Sequence, residues 1–376
     1  MDFSLSEEQI ILKDMAKNFL AKECPKSLVK EIIKDEKGYS PAMWSKMAEL
    51  GWMGFIFPEK YGGMEGSFLD LTVLIEEMGR ACLPSPFFST VILGGLSILE
   101  GGNDDQKDTF LPRIANGEII LTLAITEASA SYEPDGIETR FTKTNEGYTI
   151  DGTKLFVSDA NIADYIIVAA RAEESEGNDG IALFIADIKS PGITVTPLHT
   201  ISEDNQCEVR FEGVKVKEDA LIGGLNNGWS IVQKLWPKMV VARCAEMVGG
   251  AQEALDMTIN YAKEREQFGR PIGTLQAVQH FCSDMVADVD GCRYLTYQAA
   301  WTISCGLPCD KEVAMAKAWC SDAFKRVTAK GHQIHGAIGF TEEHDLHLYY
   351  KKAKTLELLY GDSDYHREIV AQQMGF

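Results

Sequence analysis

No run of apolar residues in this 376-residue chain approaches the roughly 20 that a membrane span requires. Positive charge is in short supply. The 36 Lys and Arg stand against 56 Asp and Glu, and the resulting net charge of −20 repels phosphate backbones and anionic lipid alike. Nucleic-acid binding and membrane insertion are therefore set aside. Cys-x-x-Cys pairs are absent as well. The nine cysteines (Cys24, Cys82, Cys207, Cys244, Cys282, Cys292, Cys305, Cys309 and Cys320) are odd in number and scattered, the pattern of reduced thiols in a cytoplasmic protein. The opening Met1-Asp2-Phe3-Ser4 is followed by early acids, which fits neither a secretory signal nor an Arg-rich transit sequence.

Familiar catalytic templates are missing too. No G-x-G-x-x-G follows a strand, no Walker sequence occurs and no G-x-S-x-G elbow is present, which removes the common nucleotide and acyl-hydrolase readings. What the chain does have is a globular balance, 45% hydrophobic and 24% charged, and enough length for two or three domains.

Residues 1–117 read as an α-helical domain. Ser6-Glu-Glu caps "QIILKDMAKNFLAK" and Ser40-Pro precedes "AMWSKMAELG", with glycine and proline clusters between helices. Residues 118–222 carry short β-rich runs ("IILTLAIT", "GYTID", "TKLFVS", "DYIIVAAR", "GIALFIAD", "ITVTPL", "CEVRFEGVKV"). Asp151-Gly152 between two of them predicts a hairpin, and the spacing predicts a compact antiparallel β-barrel or sandwich. Residues 223–376 return to a 3.6 period, with helices predicted over 239–263, 275–305 and 311–334, hence a four-helix-bundle-like domain. The fold class is α+β and multidomain.

Three stretches carry candidate chemistry. In "YAKEREQFGRPIGTLQAVQ", Arg265 ends a helix beside Phe268, an arginine and an aromatic suited to a pyrophosphate and a flat ring; pairing of Arg265 with Glu264 or Glu266 is the plainer alternative. In "HQIHGAIGFTEEH", Gly336 and Gly339 allow close backbone approach and Gln333 can hydrogen-bond a ligand. The pairs His332/His335 and His344/His347 also raise a metal reading, but no third carboxylate ligand is specified and no metal is expected. In "LAITEASASYEPDG", a strand ends in small residues, where Thr126 and backbone groups could meet the edge of a heterocycle.

With "GTKLFVSDANIADYIIVAAR" and "QIHGAIGFTEEHDLHLYYKKAK", these stretches follow in an order that closely resembles the acyl-CoA dehydrogenase family over essentially the whole chain. The resemblance implies FAD and an acyl-CoA thioester, with electrons passing to an electron-transferring flavoprotein. It also implies a homo-oligomer, a dimer or tetramer in which neighbouring subunits share the adenylate site. It places Ile125 and Thr126 at the pyrimidine side of the isoalloxazine, with Phe156 and Ser158 on the other flank; Phe156 stands where the family usually has tryptophan. Arg265, Phe268, Gln276 and the loop Gln333, Ile334, Gly336 and Ala337 are implied to hold the adenylate half, and Asp362 and Asp364 to contact FAD. Tyr132 replaces a small hydroxyl residue near the CoA moiety, and Met239 and Arg243 fall at the substrate pocket.

The family's base is usually a glutamate before the glycine of "LLYGDSDYHR", where this chain has Tyr360. In some relatives it lies on the first long C-terminal helix, at the position of Met239, which Val240 follows. A free phenol has a pKa of about 10 against about 4.3 for a carboxyl, so it is a poor base at neutral pH. Glu246, two helical turns beyond Met239, is the nearest carboxylate on that face, and desolvation is expected to raise its pKa. The plainer reading is an Arg243–Glu246 pair. Tyr360 is the other candidate.

The expected activity is oxidation of a bulky, branched, alicyclic or dicarboxylic acyl-CoA to the enoyl-CoA. The alternatives are a non-oxidising, eliminating or desulfinating flavoprotein of the same fold and a low-activity subunit of a hetero-oligomeric dehydrogenase.

Overall fold

Ser6 starts the first helix as expected: its Oγ accepts the Gln9 amide while the Gln9 side chain returns to the Ser6 amide. The computed structural model describes residues 4–376, so Met1-Asp2-Phe3 of the N-terminal reading lie outside it. In chain order the first helices are α1 Glu7–Glu23, α2 Lys26–Ile33, α3 Pro41–Glu49, α4 Phe68–Ala81, α5 Leu96–Gly101 and α6 Asp104–Ala115. Strands follow as β1 Leu121–Ala124, β2 Arg140–Thr144, β3 Gly147–Ser158, β4 Tyr165–Ala172, β5 Ile181–Asp187, β6 Ile193–Leu198, β7 Gln206–Val216 and β8 Leu221–Ile222. The C-terminal part contains α7 Gly228–Glu264, the short strands β9 Glu266–Gln267 and β10 Arg270–Pro271, then α8 Gln276–Ser304, α9 Asp310–His335, α10 Leu346–Leu358 and α11 Ser363–Gln373.

The chain forms two compact units, and they cut across the sequence order. One comprises Ile32–Gly66 and Pro84–Met239; the other comprises the described residues up to Glu31, Ser67–Leu83 and Val240–Phe376.

In the first unit the sheet runs in the order β6-β7-β3-β2-β4-β5-β8, with β1 added beside β4. Most of its pairings are antiparallel, as expected, while β1 and β2 both pair parallel to β4. Each reaches β4 through a long connection, which removes the hairpin constraint. The core is aromatic, with Phe141, Tyr148 and Phe184 in mutual ring contact among buried aliphatic neighbours.

The hairpin expected at Asp151-Gly152 is not there. Residues 147–158 form one strand, and the register shift between Ile150 and Gly152 makes a bulge. Gly152 has φ 152°, and a Cβ on it would lie 2.5 Å from Thr139 Oγ1. The dipeptide signals a backbone irregularity in either case, and pairing of both halves with β7 selects the bulge.

In the second unit, α8, α9, α10 and α11 assemble with α1, α4 and residues 240–264 of α7. Two glycines let α4 and α7 cross closely. A Cβ on Gly79 would lie 2.2 Å from Glu246 O, and one on Gly249 would lie 1.8 Å from Glu76 O. Glu76 is buried there beneath Lys13, Arg293 and the Tyr297 hydroxyl. Helix α7 begins eleven residues before the expected start at Met239 and runs through Pro237. The missing amide hydrogen of Pro237 costs one backbone bond, but burial of Trp229, Ile231, Val232 and Leu235 holds the preceding turns helical.

Candidate active site

In the sheet unit, β1 ends at Ala124 and delivers Ile125, buried, and Thr126, half-buried. A second bulge in β3, between Lys154 and Val157, frees Leu155 and Phe156 from pairing with β7. The Leu155 amide bonds Thr126 O at 2.8 Å instead. Phe156 takes φ 54°, and its side chain stands 50% exposed. Ser158 is held from the other side, its carbonyl accepting Thr122 Oγ1 at 2.6 Å. The four residues implied by the resemblance thus lie on two chain segments knitted together. Tyr132, further along the loop after β1, packs its ring 5.2 Å from that of Trp236. Met239 is buried.

In the helical unit, Arg265 leaves α7 with its amide on Tyr261 O, and β9 and β10 form a tight hairpin. Its two-residue turn is Phe268-Gly269, with φ 56° and 77°, the left-handed pair of a type I′ turn. Phe268 at its tip is 87% exposed. The glycine and proline here predict a loop; the hairpin forms because Phe268-Gly269 supplies the left-handed pair that its turn needs. Gln276 opens α8 with an exposed side chain.

The last turn of α9 carries exposed Gln333 and buried Ile334, and the segment after it carries exposed Gly336 and Ala337. Gly336 has φ 66° with open space where a Cβ would point. Tyr261 stacks on His335 at 4.3 Å and donates to its carbonyl at 3.4 Å, joining the end of α7 to the end of α9. Sequence reading missed Tyr261, although it lies one turn before Arg265. His332, His335, His344 and His347 cluster here, and burial pushes each below the ordinary imidazole value. Among the described residues no group of three or more His, Cys, Asp or Glu is placed to hold a metal ion.

Tyr360 sits on a sharp turn between α10 and α11, with φ 60° followed by Gly361 at 91°. Two buried groups fix that turn. His366 Nε2 donates to Tyr360 O at 2.8 Å, and Lys317 Nζ donates to Gly361 O at 2.7 Å and Glu357 O at 2.9 Å. Burial pushes His366 down to about 4 and Lys317 down to about 8. Neither group was singled out from the sequence. Asp362 caps α11, accepting the amides of Asp364 and Tyr365, and Asp364 pairs with Arg367.

Glu246 departs from expectation. Its Oε2 lies 2.5 Å from Arg243 Nη1 and its Oε1 3.3 Å from Lys352 Nζ, in a pocket lined also by Gly79, Cys82 and Tyr349. Burial alone would raise its pKa, but Lys352 and Arg243 outweigh burial and hold it below the ordinary carboxylate value. The expected rise is reversed because Lys352, more than a hundred residues along the chain, closes over the carboxylate.

In the sheet unit, half-exposed Phe156 and half-buried Thr126 fit the edge of a flat tricyclic ring; in the helical unit, exposed Phe268 and open Gly336 fit an adenylate arm. Models of the acyl-CoA dehydrogenase N-terminal, middle and C-terminal domains match residues 6–118, 122–214 and 226–375. The chain is 32% identical to the probable acyl-CoA dehydrogenase YngJ of Bacillus subtilis, over 100% of both chains. It is 29% identical to the caffeyl-CoA reductase-Etf complex subunit CarC of Acetobacterium woodii, covering 97% of this chain and 98% of that protein. Its fold superposes on butyryl-CoA dehydrogenase from Megasphaera elsdenii with a TM-score of 0.93 at 29% identity, over 100% of both chains. The chain belongs to the acyl-CoA dehydrogenase family, FAD-dependent oxidoreductases acting on CH–CH groups.

Proposed function

We propose that this protein oxidises the Cα–Cβ bond of a non-standard acyl-CoA thioester, one whose acyl group is bulky, branched, alicyclic or dicarboxylic, to the enoyl-CoA. Tyr360 carries this reading. A phenol stands on the turn where the family resemblance leads one to expect a carboxylate, and Glu246, the alternative carboxylate, is locked between two cations. A site without a free carboxylate at either usual position suits a substrate whose acidic hydrogen lies elsewhere in the pocket or is more acidic than that of a plain fatty acyl chain.

When bound, FAD would supply the hydride acceptor for Cβ. Ile125, Thr126, Phe156 and Ser158 orient its ring. Arg265, Phe268 and Gln276 hold the adenylate half together with Gln333, Ile334, Gly336 and Ala337, and Asp362 and Asp364 support it from the start of α11. Tyr132 and Met239 line the thioester's path, while Arg243 commits Nη1 to Glu246. In this reading the Tyr360 oxygen, as phenolate, takes the proton from Cα, and the backbone of its turn is immobilised through His366 and Lys317. Electrons then pass to an electron-transferring flavoprotein, as the Etf-complex name of the Acetobacterium relative supports. The working form is a cytoplasmic homo-oligomer.

Anaerobic titration with straight, branched, alicyclic and dicarboxylic acyl-CoAs, followed by flavin absorption, tests the reading. One non-standard class should bleach the flavin most strongly; preference for a straight-chain thioester by a wide margin overturns the substrate assignment. The two empty carboxylate positions also favour a second reading, a non-oxidising or partner-dependent flavoprotein. Flavin that stays oxidised with every thioester selects it.

A further inference from the structure

The sheet unit buries one ammonium completely. Lys154 is 0% exposed, and its Nζ donates to Glu127 Oε1 at 2.6 Å and to Ile125 O at 3.2 Å. Glu127, 5% exposed, also accepts the Thr139 amide at 3.0 and 3.1 Å and the Glu138 amide at 3.0 Å. One ion pair thus ties the end of β1, the approach to β2 and the bulged part of β3.

A buried ion pair is a poor source of stability. Taking both charges out of water costs several kcal/mol each, and neutral partners of the same volume are often as stable. What the pair supplies is placement. Ile125 and Thr126 lie immediately before Glu127, and the bulge residues Leu155 and Phe156 immediately after Lys154. Removing the ammonium would free Ile125 O and leave the carboxylate held by amides alone.

We propose that Glu127 and Lys154 are positioning residues for the flavin: their ion pair sets the Ile125–Thr126 edge against the Phe156 bulge and so fixes the orientation of the isoalloxazine and its reduction potential. This rests on the reading that those residues flank the ring. Charge close to a flavin edge is also a recognised lever on its electronics.

The test uses the full-length FAD-loaded protein and its reconstituted apoprotein, with four variants. Lys154→Met strands a buried carboxylate and is expected to lose stability. Glu127→Gln/Lys154→Met removes both charges and keeps an acceptor for the amides, so its apoprotein should melt within a few degrees of wild type. Glu127→Asp keeps the charge, withdraws it by one methylene and tests the idea should the others fold poorly. The double variant and Glu127→Asp should bind FAD about tenfold more weakly, shift the visible flavin band and move its midpoint potential. Folded variants with wild-type affinity, band and potential overturn the proposal. The fourth variant, Phe156→Ala, separates the premise: if it leaves flavin band and affinity untouched, the assignment of the flanking residues fails, whatever the ion pair does.

Discussion

The Glu246 carboxylate lies 2.5 Å from the Arg243 guanidinium, one turn away on the same helix. That contact, with Lys352 completing it, makes Glu246 a charge anchor for α7 and α10. Replacing it with Gln strands two partly buried cations and should cost about 3 kcal/mol. The carboxylate's depressed pKa means that its stabilisation is present above the ordinary carboxylate value and is lost as pH falls through the depressed one. Glu246→Gln should therefore melt earlier than wild type at pH 7 and approach it in strong acid, while substrate still bleaches its flavin. Loss of bleaching with unchanged stability would return Glu246 to the chemistry.

Tyr360 is expected to behave in the opposite way. Tyr360→Phe should bind FAD normally and slow flavin reduction by about 10²-fold, the scale of one acid–base group. Tyr360→Glu should gain activity on straight-chain thioesters at the expense of the native substrate. Stopped-flow absorbance of the flavin measures both, and a Phe variant with the wild-type rate excludes the phenol.

His366 makes the Tyr360 turn sensitive to acid. Its folded-state value of about 4 lies below the ordinary 6.5, so the unfolded chain binds the proton first and stability falls as pH drops from 6.5 toward 4. The full effect is about 3 kcal/mol for a shift of this size. Thermal melts of wild type and His366→Gln across that window should show a steeper pH dependence in wild type; equal slopes would remove His366 as the cause.

Phe268 pairs a strained backbone with an exposed ring. Phe268→Gly should relieve left-handed strain worth about 1 kcal/mol and raise the melting temperature of the apoprotein. The same change should weaken FAD binding, because stacking on an aromatic contributes about 0.5–1.5 kcal/mol. Calorimetric titration of the apoprotein checks the second half. Unchanged affinity would take Phe268 out of the adenylate site.

Local periodicity and capping located most elements: Ser6 and Ser40 start their helices, and β4, β5 and β6 fall on their alternating or continuous apolar runs. Asp151-Gly152 predicts a hairpin and forms a bulge because a dipeptide fixes a backbone conformation without fixing its partner. A hairpin and a bulge differ only in which strand lies opposite, and β7 lies more than fifty residues away.

The sequence by itself determined the three-part order of helical, β and helical segments, the ordered motifs that mark the family, and the missing carboxylates at Tyr360 and Met239. These are properties of residue type and spacing. Tertiary structure alone decided the charge state of Glu246, the fixing of the Tyr360 turn by Lys317 and His366, and the burial of the Glu127–Lys154 pair. Each depends on charges and dipoles from distant segments meeting out of water, where a few ångströms set the sign of a pKa shift.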